Sequence, residues 1–370
     1  MAGPYEYVGP NYWYTDDRYG GAFGFNTETG IGAQLPVYES LKRFIPADSL
    51  WPISKSYDYH CTTSANAMNN LDVLSEVISN KYGEPLSLQD YLLKADLANY
   101  DATRAMFEAF RVNINKTTGI VQWMLNSAWP SLYWQLYDYY LMPTSGYYAV
   151  KKANEPAQLI YHYGENSIYA VNESLSGIEN YKAKIKVYNA DSKLIDSCVI
   201  KLNLENNTST EILKLDKLAG ITFISLKLFD KDEIVVSDNF YCLSDSPDIY
   251  DWEETNWVHT PIKEYSDFRG LSKIPHVKLE YSLDKHQEDD YIHYKIRLKN
   301  NSPFISFFNR MKMKDGHTNL ITSAIWQDNY ISIEPHQERT IECVIKKEEV
   351  EGKSIFIEVE GWNGKLFRFN

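Results

Sequence analysis

The sequence predicts a multidomain protein that is α/β at its start and all-β thereafter. Two patterns lead there. Short apolar runs alternate with helical spacing over residues 1–155, and the period switches to two after Pro156. A third observation is length: 370 residues exceed what one compact core serves and call for two or three domains.

The elements follow in order. Over 66–82, Met68, Leu71, Leu74, Ile78 and Tyr82 recur at helical spacing, and Gly83 then Pro85 stop the helix. Ser87 followed by Asp90 resembles a capping box, opening a helix past Tyr91, Leu92, Ala95, Ala98, Ala102, Met106 and Ala109. Residues 119–125 form a continuously apolar run after a polar loop, the pattern of a strand buried on both faces of a parallel sheet. Helical stretches at 131–140 and around 147–152 complete the β/α alternation. Seven runs at 157–163, 167–171, 182–189, 194–204, 209–215, 221–229 and 233–243 then match the strand count of an immunoglobulin-like β-sandwich, placed at 156–250. A linker rich in Asp and Glu spans 244–261. A second sandwich over 264–370 is read from runs at 276–283, 291–299, 304–314, 319–326, 329–333, 338–346 and 354–360, with Asp315-Gly316 as a turn signal.

Composition narrows the function. The chain is 44% hydrophobic, normal for a globular protein, and 14% aromatic, with 29 Tyr and 9 Trp. Aromatic rings with polar edges suit the apolar faces and hydroxyl rim of a sugar, although β-sandwich strands favour Tyr and Trp in any case. A net charge of −13 argues against a nucleic-acid partner and tolerates a cationic substrate such as an amino sugar. No apolar run approaches the ~20 residues of a membrane span, so no membrane partner is expected. The N-terminus carries neither a charged n-region nor an apolar h-region, so it does not read as a signal peptide. Cys61, Cys198, Cys242 and Cys343 read as buried thiols, with Cys198 and Cys242 the pair that could bond. No His/Cys/Asp cluster has metal-ligand spacing and no glycine pattern suits a nucleotide, so neither metal nor cofactor is expected.

The segment Gly20-Gly-Ala-Phe-Gly-Phe-Asn-Thr-Glu28-Thr-Gly-Ile-Gly holds one carboxylate in an uncharged, Gly-rich run, where small residues let a substrate approach the backbone. A lone loop Glu is more often simply solvated. The motif Phe25-Asn-Thr-Glu28-Thr-Gly30, preceded by Gly3-Pro-Tyr-Glu-Tyr-Val-Gly-Pro-Asn-Tyr-Trp-Tyr14, resembles the nucleophile region of glycoside hydrolase family 2, with exo-β-D-glucosaminidases nearest and β-mannosidases next. The resemblance continues through Leu35-Pro36, Leu41-Lys-Arg43, Tyr82-Gly, Asp90-Tyr91 and Lys94-Ala95. It is strongest over Gly119-Ile-Val-Gln-Trp-Met-Leu-Asn-Ser-Ala-Trp-Pro-Ser-Leu-Tyr-Trp-Gln-Leu-Tyr-Asp-Tyr139, and reappears at Tyr148-Ala-Val-Lys-Lys-Ala-Asn-Glu-Pro156 and Gly361-Trp-Asn363.

That resemblance implies the last two β/α units of a (β/α)₈ TIM barrel over residues 1–155, with Glu28 as the nucleophile ending strand seven and 119–125 as strand eight. It implies double displacement with retention, between two carboxyl groups ~5–5.5 Å apart. Trp123, Asn126 and Trp129 match positions near the sugar subsite, although Trp123 also reads as barrel wall and Trp129 as a helix-entry staple. Asn26, two residues from Glu28 on a strand end, is expected on the same face and within reach of a sugar hydroxyl. Tyr12 and Trp13 are expected at the pocket rim, and His60 as a loop histidine.

The family's acid/base lies on the fourth barrel strand, and only 27 residues precede Glu28. The expectation is therefore a C-terminal fragment bearing the nucleophile without its acid/base. Asp16 and Asp17 read as loop residues rather than substitutes. Unpaired strand faces would make the first ~150 residues marginal or oligomeric. Three readings compete: a fragment of an exo-β-glycosidase acting on glucosamine- or mannose-containing oligosaccharides and silent alone; a non-catalytic carbohydrate-associated module; and a split enzyme whose partner is a separate chain or upstream segment carrying the rest of the barrel. The parent enzyme would be exported.

Overall fold

The computed structural model describes residues 3–63 and 67–370. Among them, the first part holds helices α1 (Tyr12–Thr15), α2 (Tyr38–Leu41), α3 (Lys55–Asp58), α4 (Asp72–Tyr82), α5 (Leu88–Val112) and α6 (Ser145–Ala153) around strands β1 (Gly24–Thr29) and β2 (Thr117–Gln122). The expected start of α4, Asn66, lies outside the described residues. β1 and β2 pair in parallel, as successive strands of a β/α fold do. Phe25, Val121, Trp123 and Leu125 remain 43–60% exposed along this pair, a row of large, partly solvent-exposed apolar side chains.

The long helix α5 organises the molecule. The Ser87 hydroxyl caps it by accepting from Asp90 N at 3.2 Å, and the Asp90 carboxylate accepts from Leu86 N at 2.8 Å. Ala95, Ala98, Ala102, Ala105 and Ala109 favour helix and let neighbours approach closely. Nearly every residue of α5 is buried, the charged ones included, because both sandwiches supply partners. Arg310 meets Asp96 at 2.7 Å. Arg104 donates to Phe240 O at 2.7 Å and lies over the Tyr241 ring. Glu108 accepts from the Tyr241 hydroxyl at 2.9 Å, and Arg111 pairs with Glu173 at 2.8 Å. Unpaired, such charges would be costly to bury.

Residues 131–140, expected as a helix, are not helical. Their backbone donors bond distant segments instead of the preceding turn: Leu132 N to His60 O, Trp134 N to Gly32 O and Leu136 N to Met124 O. Trp134 also sits at φ +59°.

The first sandwich stacks a sheet of order β3-β4-β7 on one of order β6-β5-β8-β9. These are β3 (Ala157–His162), β4 (Ser167–Asn172), β5 (Ile178–Asn189), β6 (Leu194–Leu204), β7 (Thr208–Lys214), β8 (Thr222–Phe229) and β9 (Val235–Leu243). Cys198 on β6 and Cys242 on β9 occupy opposite edges of one sheet, three strand spacings apart, and all four cysteines are thiols. The short strand β10 (Ile249–Tyr250), in the linker, pairs with β11 (Ile262–Glu264), which directly follows that linker.

The second sandwich comprises β12 (Glu280–Glu288), β13 (Tyr291–Lys299), β14 (Ser306–Asp315), β15 (Ile325–Trp326), β16 (Ile331–Ile333), β17 (Glu338–Lys346), helix α7 (Lys347–Val350), β18 (Ile355–Glu360) and β19 (Phe367–Phe369). Its sheets run β12-β13-β17-β15 and β16-β14-β18-β19. The expected 319–326 strand shrinks to two residues, and β19 was not foreseen. This sandwich shares one hydrophobic core with α5 and α6.

Candidate active site

Glu28 lies near the C-terminal end of β1, half-buried. The register explains its orientation. Asn26 pairs with Ile120 and Thr29 with Gln122, so β1 carries one residue more than β2 across this interval. Such a bulge breaks the alternation of faces and re-aims a side chain. It also corrects the expectation for Asn26, which is fully buried rather than beside Glu28 on an open face. The Asn26 amide donates to Gly3 O at 3.0 Å and Gly20 O at 3.3 Å, and its Oδ1 accepts from Glu28 N at 3.2 Å. Asn26 thus shapes the strand end from within.

The N-terminal segment braces the same spot. Gly3 N donates to Glu28 O at 2.7 Å, and the Thr29 hydroxyl donates to Pro4 O at 2.8 Å. Gly3 sits at φ +76°, and a Cβ there would come within 2.2 Å of Trp257 O, so only glycine fits. The linker holds this segment in turn, Val258 O accepting from Tyr5 N and Glu6 N.

Tyr5, which the sequence reading did not single out, donates its hydroxyl to Glu28 Oε1 at 2.6 Å. Burial, followed by the Glu28 contact, pushes its phenol well above the ordinary tyrosine value, so it stays a proton donor at neutral pH. Trp134 and Trp257 pack edge-on against the Tyr5 ring, and Trp134 Nε1 donates to Tyr5 O at 2.6 Å. Tyr5 belongs to the motif that precedes Glu28, which was the one sequence signal pointing to it.

Trp123 directly follows β2, donates its backbone N to Thr29 O at 2.7 Å, and is 43% exposed. Its carbonyl closes over Gly30, where a Cβ would meet Trp123 O at 2.3 Å and Trp134 Cδ1 at 2.7 Å. The nucleophile candidate and an exposed indole are therefore presented from adjacent ends of two parallel strands, the edge where α/β barrels carry their chemistry. Asn126 is exposed just beyond. Trp129, 48% exposed, stacks on the His60 ring at 5.1 Å, and His60 Nδ1 contacts Pro130 O at 2.7 Å.

Tyr12 and Trp13 are not at a rim. They are 1% and 0% exposed, packed edge-to-face in the core, with Tyr12 stacked on Trp252. Two adjacent aromatics in a short helix follow the core here. Asp16 is buried, its oxygens accepting from Arg18 N, Tyr19 N and Gly21 N, which makes it the organiser of its loop. Asp17 points to solvent beside Arg18.

Glu6, adjacent to Tyr5, is fully buried, and desolvation raises its carboxyl to about 7. The Tyr133 hydroxyl lies 3.0 Å from Glu6 Oε2 and 2.8 Å from Asn70 O, yet has one proton to give. A protonated Glu6 resolves this by donating to Tyr133 Oη while Tyr133 donates to Asn70 O.

Residues 257–364 match the exo-β-D-glucosaminidase Ig-fold domain, and residues 164–246 match the mannosidase Ig/CBM-like domain. Both domains follow the β/α segment whose first strand carries Glu28 near its end, and over nearly its whole length the chain is similar to exo-β-D-glucosaminidases, the glycoside hydrolase family 2 likeness that its motifs carry. The relatives to which it is similar include exo-β-D-glucosaminidases. That of Hypocrea jecorina is 31% identical over 98% of this chain and 41% of the relative. That of Arthroderma benhamiae is 34% identical over 91% of this chain and 39% of the relative. The structure of Amycolatopsis orientalis exo-chitosanase in complex with PNP-β-D-glucosamine superposes with a TM-score of 0.94 at 29% identity, covering 99% of this chain and 45% of that one. The chain thus spans about 40% of the length of the curated relatives it matches.

Proposed function

We propose that this chain is the nucleophile-bearing part of a retaining exo-β-D-glucosaminidase that removes terminal β-linked glucosamine from chitosan oligosaccharides. The observation carrying the reading is the half-buried Glu28 carboxylate, held by Tyr5 at a parallel strand end beside exposed Trp123. A Glu28 oxygen attacks the anomeric carbon while an acid protonates the departing glycosidic oxygen, giving a glycosyl ester. A water, deprotonated by the same second carboxylate, then attacks the anomeric carbon and releases Glu28 as a carboxylate. Trp123 offers an apolar face for the sugar ring, with Asn126 and Trp129 further along the same edge.

The second carboxylate is assigned to barrel strands outside this chain. In support, Asp16 is committed to its own loop, and the β1–β2 pair presents Phe25, Val121 and Leu125 as further strands would need. On this reading the polypeptide alone is silent, and its partner is the remaining barrel, upstream in one chain or on a separate one. A β-mannosidase is the second reading, favoured by the mannosidase-type domain at 164–246.

The test is release of p-nitrophenol from the β-D-glucosaminide and the β-D-mannoside, by this chain alone and by the protein with its barrel completed. The expected result is turnover of the glucosaminide by the completed barrel alone, lost by more than about a thousandfold in Glu28→Gln. Turnover by the isolated chain that vanishes in Glu28→Gln refutes the fragment assignment, and preference for the mannoside refutes the specificity.

A further inference from the structure

The sequence shows no familiar metal-ligand spacing, but the hairpin of β12 and β13 brings together residues the linear order separates. His286 and His293 are direct cross-strand partners. Glu288 stands two positions along β12 from His286, so all three side chains leave the same face of the hairpin. On β13 the alternate residues Ile292 and Tyr294 enter the core and fix that orientation. His286 and Glu288 are exposed and His293 is half-buried. The two imidazoles lie parallel, centroids 4.9 Å apart with 14° between planes. Glu288 Oε2 is 3.8 Å from His293 Nε2, and one ligand atom from each residue lies within 4.8 Å of the others.

We propose that His286, Glu288 and His293 bind a divalent transition metal, zinc foremost. Two imidazole nitrogens and one carboxylate oxygen select zinc, copper or nickel over magnesium and calcium, which take all-oxygen shells. Tetrahedral zinc with bonds of about 2.0–2.1 Å requires ligand atoms roughly 3.3 Å apart. Closing from the observed separations takes about an ångström of side-chain rotation, which exposed rotamers permit. Three protein ligands leave the fourth position to water. Asp289 and Asp290 in the adjoining turn add negative charge next to the site. Among the described residues β12 is an edge strand, paired in its sheet with β13. A bound ion therefore clips the exposed edge at its turn end.

Calorimetric titration of the chelator-treated chain with zinc chloride tests this. One ion per chain is expected, with affinity at least about tenfold lower in His286→Ala, in His293→Ala and in the shape-preserving Glu288→Gln. Zinc should also raise the thermal midpoint of the parent protein and leave that of His286→Ala/His293→Ala unmoved. Both side chains stand on the solvent face, so the variants should melt as the parent does in chelator. Absence of binding overturns the proposal, as does unchanged stoichiometry and affinity in the double variant, which would place the ion elsewhere.

Discussion

Replacing Tyr5 by Phe removes one oxygen and, with it, the 2.6 Å hydrogen bond from the phenol to Glu28 Oε1. The ring stays wedged between Trp134 and Trp257, so the variant should fold as the parent does. A hydrogen bond to a charged group contributes about 1.5–3 kcal/mol. It is stronger to a carboxylate than to the neutral ester of the glycosyl intermediate, so it weakens as Glu28 attacks and strengthens as Glu28 departs. Losing it therefore raises the barrier mainly for deglycosylation. At about 1.4 kcal/mol per factor of ten, kcat should fall roughly 10- to 100-fold. With a p-nitrophenyl glycoside, kcat/KM reports the first step and should change little, so KM falls with kcat. Stopped-flow measurement on the completed barrel should then show a burst of p-nitrophenol equal to the enzyme concentration. Equal losses in kcat and kcat/KM at constant KM, or no loss, would refute the reasoning.

Two further perturbations test the packing around the site. Lys81 on α4 and Asp248 in the linker form a buried ion pair at 2.6 Å, with Asp248 also accepting from Ser266. Lys81→Met leaves that carboxylate unpaired and should cost about 3–5 kcal/mol in urea denaturation, while Lys81→Met/Asp248→Leu should recover most of it. A single variant as stable as the parent would show that the pair contributes nothing. Glu6 titrates near 7 when folded against an ordinary value of 4.5, so the folded state holds an extra proton between those values. Stability should thus be full below about pH 4.5, decline as pH rises to about 7, and level off, a loss of up to about 3 kcal/mol. Glu6→Gln, whose amide can donate to Tyr133 Oη, should flatten that window in thermal melts and exceed the parent at pH 8. An unchanged slope would place the titrating group elsewhere.

The strands of both sandwiches were legible because each buries one face, and alternation such as Ala183, Ile185 and Val187 writes that burial into the chain. Helix α5 was legible from Ser87 and its alanines, but the burial of Asp96, Arg104 and Glu108 was not, since Arg310, Phe240 and Tyr241 come from strands far along the chain. The 131–140 segment misled because apolar spacing resembles a helix whether or not the backbone donors bond locally. At the candidate site, Glu28 was recognisable by its motif. Which neighbours face it was not, because one extra residue in β1 turns Asn26 inward and Tyr5 reaches Glu28 across 23 positions. The same blindness hid His286 and His293, opposed only once the hairpin forms.

The most direct measurement is to quench the completed barrel with a fluorinated β-glucosaminide that forms the intermediate faster than it hydrolyses, digest it, and weigh the peptides. The account predicts one sugar on the peptide carrying Glu28, none in Glu28→Gln, and product of retained β configuration. An adduct on a different carboxylate, or turnover with inverted product, would contradict it.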